Sequence, residues 1–157
     1  MVMGRLRQEA EVAVVGGGPG GYVAALRAAD LGKEVILVEE RDRVGGVCLL
    51  EGCIPSKTLI NAVELIDSAR NAKKMGLSFE ELKVDTSALR EWTDSVVDGL
   101  AKGIDGLLER RGVEVIQGRA RLEGPHSLAV DGAEVSGIDF KSCIIATGSR
   151  ANELPLG

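Results

Sequence analysis

Glu11-Val12-Ala13-Val14-Val15-Gly16-Gly17-Gly18-Pro19-Gly20-Gly21 is a short β-branched run that ends on glycines, the pattern of a buried parallel strand feeding a tight turn. The next run, Tyr22 to Leu31, has the Ala and Leu content and spacing of a close-packed helix that stops at Gly32. Glu34-Val35-Ile36-Leu37-Val38 is a second strand ending at Glu39, which completes a βαβ unit of about thirty residues. Inside it Gly16, Gly18 and Gly21 satisfy G-x-G-x-x-G. The first glycine permits the turn, the second lets the backbone approach a pyrophosphate, and the third allows close helix packing. Free N–H groups at the helix start then receive the phosphates. Glu39 follows Gly21 by eighteen residues, close to the spacing of about twenty at which a carboxylate meets the adenosine ribose. The glycines alone are weak evidence, since they can serve only to permit a close βαβ crossing. In the context of strand, turn, helix, strand and acid they predict a dinucleotide site, without saying which dinucleotide.

Downstream lies Gly45-Gly46-Val47-Cys48-Leu49-Leu50-Glu51-Gly52-Cys53-Ile54-Pro55-Ser56-Lys57, with two thiols and a lysine in one short stretch. Residues five apart in a regular helix have Cα atoms roughly 8–9 Å apart, beyond the ~7 Å that a disulfide spans. Gly52 and Pro55 disturb helical geometry, so an irregular first turn brings Cys48 and Cys53 within reach as a strained, reversible disulfide. The apolar series Leu59, Ile60, Val63 and Ile66 begins just beyond. Both sulfurs are therefore expected at a helix N-terminus, where unpaired N–H groups favour the thiolate that attacks disulfides. Two other readings compete. One is ordinary buried cysteines. The other is a structural metal site built from Cys48, Cys53, Cys143 and His126, although Cys143 sits far along the chain and no second paired-ligand spacing exists. No metal ligand set is assigned.

From the cysteines to about Lys74 one helix is expected, then a linker past Gly76 through Phe79 and Val84. Asp85 and Thr86 cap a second helix whose Leu89, Trp92, Val96, Leu100, Ile104 and Leu107 recur at helical spacing, which makes Trp92 a core or helix-contact residue. After Gly112 the period changes: Val113 to Ile116, Ala120 to Leu122, Ser127 to Val130 and a return near Asp139 read as a small antiparallel meander. His126, the single histidine, falls in its Gly124-Pro125 turn and is assigned no function. Cys143-Ile144-Ile145-Ala146-Thr147-Gly148 reads as a buried strand ending in Gly, the kind of strand end where open α/β sheets place ligand contacts.

With 157 residues, 45% hydrophobic and only 3% aromatic, the chain suffices for one domain with an aliphatic core. A net charge of −5 and the lack of a basic cluster argue against nucleic acid. No apolar run approaches the ~20 residues needed to span a bilayer, and Met1 to Ala10 lacks the hydrophobic core of a signal peptide. A cytoplasmic location is expected, and there a disulfide is usually catalytic.

Gly16 to Tyr22, the Gly45-to-Lys57 stretch and Ala146-Thr147-Gly148-Ser149 together resemble the N-terminal part of the dihydrolipoamide dehydrogenases, which are FAD-dependent pyridine nucleotide-disulfide oxidoreductases. Ile54 with Ser56-Lys57 resembles the lipoamide enzymes, whereas glutathione reductases typically carry Val and a double lysine there, and mercuric reductases carry Val. Leu50 and Glu51 depart from the usual Asn-Val, and Glu40 replaces a common basic residue. The resemblance implies an α/β, Rossmann-like FAD-binding domain over 11–150, after a polar leader at 1–10 and before a linker beginning at 151–157.

It implies that Gly16, Gly18, Gly21, Glu39, Gly45, Gly46, Val47 and the Ala120 backbone bind FAD, with Thr147 and Gly148 near it. Cys53 would face the flavin, Cys48 would exchange with dihydrolipoamide, and Lys57 would sit near the flavin N5. A lipoyl domain of a 2-oxoacid dehydrogenase complex would be the partner, and the complete protein a homodimer. NAD would bind in a further domain, and a His-Glu pair would come from an interface domain, neither of which is in this sequence. The chain is thus expected to be a fragment that does not by itself turn over dihydrolipoamide with NAD. Another flavin disulfide reductase, an isolated FAD module and a flavin-free NAD dehydrogenase domain are the alternatives, the dithiol arguing against the last.

Overall fold

Val12, Ala13, Val14 and Val15 alternate sides along an extended backbone, and because all four are apolar the strand they form is covered on both faces. The computed structural model describes residues 6–79 and 82–152. Its strands are β1 (Leu6–Val15), β2 (Val35–Glu39), β3 (Glu114–Gln117), β4 (Arg119–Gly124), β5 (Ser127–Asp131) and β6 (Val135–Ile145). Its helices are α1 (Pro19–Asp30), α2 (Gly46–Leu50), α3 (Cys53–Asn71), which runs into a 3-10 turn at Ala72–Met75, and α4 (Thr86–Arg110). The strands form one six-stranded sheet in the order β3-β2-β1-β6-β5-β4. β3, β2, β1 and β6 run parallel to their neighbours, with Val12 opposite Val35 and Val15 opposite both Val38 and Ile145. β6-β5-β4 is antiparallel. The fold is the expected α/β one.

The alternation is directly visible in the core. Val14, Val35 and Leu37 face Ala25 of α1, Leu49 of α2 and Ala101, Ile104 and Leu108 of α4. Ala13, Ile36, Val38 and Ile116 face the other way, against Leu128 and Val130 of β5. Helices therefore cover one face and the curling meander the other. Complete burial of a residue such as Leu108, 1% exposed, contributes about 1.5–3 kcal/mol.

Several elements differ from the sequence expectation. β1 starts at Leu6 rather than Glu11, because Leu6 to Ala10 pair with Val135 to Phe140 of β6 and Arg7 hydrogen-bonds Asp139 at 2.7 and 3.0 Å. That partner is remote in sequence, so local polarity hid the strand. Residues 1–5 of the expected leader and 153–157 of the expected linker lie outside the described residues, as do 80 and 81 of the linker before α4. β3 is not part of the meander but pairs parallel with β2. The return near Asp139 and the Cys143-to-Ile145 run are one strand, β6. Its second half is less buried than expected, with Ile145 63% exposed. The reason is that β5 pairs only with Gly137 to Asp139, and among the described residues no strand covers the outer edge of Ser142 to Ile145.

The helical hairpin differs in its faces. Asp85 caps α4 as expected, accepting from the N–H groups of Ser87 and Ala88 at 2.9 and 3.0 Å. The buried side of α4 is Thr93, Val97, Ala101, Ile104 and Leu108, so of the apolar series read from sequence Ile104 alone is buried, and Trp92 is 44% exposed. Two apolar stripes run along this helix, and packing on the sheet selects the one with the smaller side chains. In α3 only Thr58 is buried among the described residues, and Leu59, Ile60 and Val63 lie exposed.

Candidate dinucleotide and dithiol site

The glycines of the first turn are held by backbone contact. Gly16 N–H donates to the Val38 carbonyl at 2.8 Å, and Ala146 N–H donates to the Val15 carbonyl at 2.8 Å, which brings the ends of β1, β2 and β6 together. Gly16 has φ +100°, and a Cβ on it would overlap the Ala146 carbonyl. A Cβ on Gly21 would overlap the Gly16 carbonyl oxygen. Pro19 opens α1, and no side chain caps its start, so the helix N-terminus and its partial positive charge lie open on the wall of a cleft.

A second glycine pair docks on the first. Gly45 N–H donates to the Gly17 carbonyl at 2.9 Å. Gly46, with φ +61°, lies so close that a Cβ would sit 2.6 Å from the Gly18 Cα. This contact is the link between the two motifs read from sequence, because it fixes the start of α2 against the phosphate-binding turn.

Glu39 is buried at the end of β2, 9% exposed. Its Oε2 accepts from Gly17 N–H at 2.6 Å and its Oε1 from Arg41 N–H at 2.9 Å. These charge-assisted bonds fix the carboxylate and leave lone pairs for a ligand hydroxyl. Gly118 N–H donates to the Glu39 carbonyl at 2.8 Å, which carries Arg119 and Ala120 to the same place.

The result is a cleft of about 600 Å³. Of the residues singled out from sequence, Gly16, Gly18, Glu39, Gly46, Val47 and Ala120 line it, together with Thr147 and Gly148 beyond β6. Gly21 and Gly45 serve behind its wall through packing. Cys48, Cys53 and Lys57 are not on its wall: Cys48 directly follows Val47 in α2, and Cys53 and Lys57 lie in the first turns of α3. Sequence reasoning did not single out Arg41 and Arg119, the cations on the cleft wall. Arg41 pairs with Glu51 at 2.7 Å and Arg119 approaches Glu40 at 3.9 Å; their positions after Glu39 and Gly118 were the available signal.

The helix expected across the cysteines is broken. α2 ends at Leu50 and is capped by Glu51, whose N–H donates to the Val47 carbonyl at 3.0 Å, and α3 restarts with Cys53 as its first residue. Gly52 makes the break possible: a Cβ there would lie 3.0 Å from the Val47 carbonyl oxygen. Its own carbonyl accepts from Ser56 Oγ at 2.7 Å. Both cysteines are free thiols, Cys53 exposed and Cys48 half-buried. The Cys48 thiol is pushed up by its hydrogen bond with the Cys53 thiol, by burial and by charge on Cys53. The Cys53 backbone N–H and the Lys57 ammonium pull it down, but by less. This corrects the expectation of two thiolate-favouring positions: for Cys48 the neighbouring sulfur outweighs the helix start.

Cys143, part-buried in β6, is pushed up by burial alone. His126 is exposed in the β4-β5 turn with its ring edge-on to Phe140, centroids 6.3 Å apart. Among the described residues no three His, Cys, Asp or Glu side chains gather as metal ligands, and no described helix is long and apolar enough to cross a membrane.

Comparison with known proteins agrees with this geometry. The chain is 46% identical over 156 residues to the dihydrolipoyl dehydrogenase of Geobacillus stearothermophilus, covering 99% of this chain and 33% of that protein. It is equally similar, over the same shares, to the dihydrolipoyl dehydrogenase of Bacillus subtilis. With the enzyme of that name from Haloferax volcanii it shares 45% identity over 159 residues. The chain thus spans about one third of the length of these relatives. The family described as pyridine nucleotide-disulphide oxidoreductase matches residues 10–157. With its glycine cleft and adjoining dithiol, the chain belongs to the pyridine nucleotide-disulphide oxidoreductase family.

Proposed function

We propose that this chain is the FAD-binding, dithiol-bearing part of a dihydrolipoyl dehydrogenase. The observation that carries the reading is the docking of Gly46 on Gly18, which joins a nucleotide cleft to the stretch that bears the thiols of Cys48 and Cys53. The cleft fits a dinucleotide. Gly16, Gly21 and Gly46 let the backbones of its wall meet where no Cβ could stand, the uncapped start of α1 suits a pyrophosphate, and Glu39 is fixed to accept ribose hydroxyls.

When bound, FAD supplies a two-electron carrier between the dithiol and NAD. The chain's own residues perform the thiol chemistry. In the oxidised state a thiolate of dihydrolipoamide attacks Cys48 Sγ, the Cys48–Cys53 bond breaks, and Cys53 leaves with the electron pair. The second substrate thiol then attacks the mixed disulfide, releasing lipoamide and the Cys48 thiol. Two substrate thiols are oxidised and one protein disulfide is reduced. Lys57, four residues beyond Cys53 and so one turn along α3, acts on Cys48 in the sense that favours a thiolate. The proposal extends to a lipoyl domain as the substrate carrier, a cytoplasmic setting, a homodimeric complete enzyme, and an NAD site formed by residues outside this chain.

Peptide mass mapping after mild oxidation tests this directly. A Cys48–Cys53 disulfide with Cys143 left as a thiol is expected. A crosslink from Cys143 to either of the others in folded protein, or a stable zinc stoichiometry, would overturn the redox reading.

A further inference from the structure

The turn that leads from Glu39 to α2 is fastened at three points. Glu39 Oε1 accepts from Arg41 N–H at 2.9 Å. The Arg41 guanidinium donates to Glu51 Oε1 at 2.7 Å, and Arg43 pairs with Asp98 of α4 at 2.9 Å. Val44, 3% exposed, anchors the turn in the core. One of these fastenings leaves the nucleotide cleft and reaches the dithiol. Arg41 lines the cleft, whereas Glu51 closes α2 and directly precedes Gly52, the residue at which the helix breaks between the two cysteines.

We propose that Arg41 and Glu51 are positioning residues that couple occupancy of the nucleotide cleft to the geometry of the Cys48–Cys53 pair. A ligand held by Glu39 steadies the turn and therefore the Arg41 guanidinium. Through Glu51 that restraint reaches the peptide on which the mutual distance of the two sulfurs depends. A steadier loop raises the effective concentration of one thiol at the other, and so favours the disulfide. The inference rests on reading the cleft as a dinucleotide site.

The test is the equilibrium of the whole chain with glutathione, in which the dithiol and glutathione disulfide give the Cys48–Cys53 disulfide and two glutathione thiols. Arg41→Gln and Glu51→Gln should each lower the equilibrium constant for disulfide formation about two- to fivefold, the coupling expected of an exposed ion pair. The double variant should show no further loss. Charge acting through space makes the opposite prediction for Arg41→Gln. Loss of a cation destabilises thiolates and would raise the constant, and a rise, or no change, overturns the proposal. ADP, which fills only the ribose and pyrophosphate end, should raise the constant in the native chain by a similar factor and lose that effect in Glu51→Gln. An ADP effect that persists in Glu51→Gln, where calorimetry shows ADP bound, also overturns it. Absence of ADP binding to the native chain would instead count against the cleft reading, and the Arg41→Gln result would still decide the strut.

Discussion

The glycine cleft and the α3/α4 hairpin use glycine and apolar residues in opposite ways. In the cleft, backbones meet so closely that Gly16, Gly21 and Gly46 each exclude a Cβ, and the geometry is fixed by atoms every residue carries. In the hairpin, Leu59, Ile60, Val63, Trp92 and Leu100 are 42–60% exposed, and α3 buries Thr58 alone among the described residues. The first region tolerates almost no substitution at these glycines because the backbone of Ala146, Gly16 and Gly18 is already in contact with them. The second presents apolar side chains that the described fold does not use. Close packing, not apolar content, marks what the fold depends on.

That contrast can be broken by stability measurements in urea. Gly21→Val should have the largest effect, more than about 4 kcal/mol, since its Cβ meets the Gly16 carbonyl. Ile60→Ala, at a 55% exposed position, should cost less than about 0.5 kcal/mol. Comparable costs at the two sites would refute the comparison.

The same contrast is sharpened within one helix. Leu108→Ala removes a side chain that is 1% exposed and should cost about 2–5 kcal/mol. Leu100→Ala, 45% exposed on the other stripe, should cost under about 1 kcal/mol.

The smallest effect is electrostatic and lies at the β1/β6 end of the sheet. Lys141, then the Glu34 N–H and Lys33, hold the Glu11 carboxyl below the usual range, and Arg7 does the same for Asp139. Folded-state values below the unfolded ones mean that this stabilisation is complete above about pH 5 to 6 and is lost as the pH falls through the unfolded and then the folded values. Glu11→Gln with Asp139→Asn should therefore flatten the acid limb of a plot of urea midpoint against pH, with a small change at pH 7 because exposed pairs contribute little.

Legibility in the sequence followed the range of the interactions. The βαβ unit, Glu39 and the Asp85 cap were readable because glycine spacing, periodicity and capping act over a few residues. The parallel pairing of β3 and the extension of β1 to Leu6 were not, since Arg7 meets Asp139 132 residues away and nothing local announces that contact. The buried stripe of α4 was misread because apolar spacing supplied two faces and only packing on the sheet chose between them. At the site, the glycines and cysteines were identifiable by residue type. The raised Cys48 thiol was not, because it depends on how Gly52 turns Cys53 towards it, and neither was the Arg41–Glu51 pair.

The central claim is that this cleft is built for FAD beside a dithiol. It is tested most directly by titrating the purified chain with FAD, following flavin fluorescence, and competing with NAD. The account predicts saturable FAD binding that is tighter than NAD binding and is weakened by Glu39→Gln, whose NH2 group leaves one of the two backbone N–H partners of that carboxylate without an acceptor. Tighter binding of NAD than of FAD would contradict it.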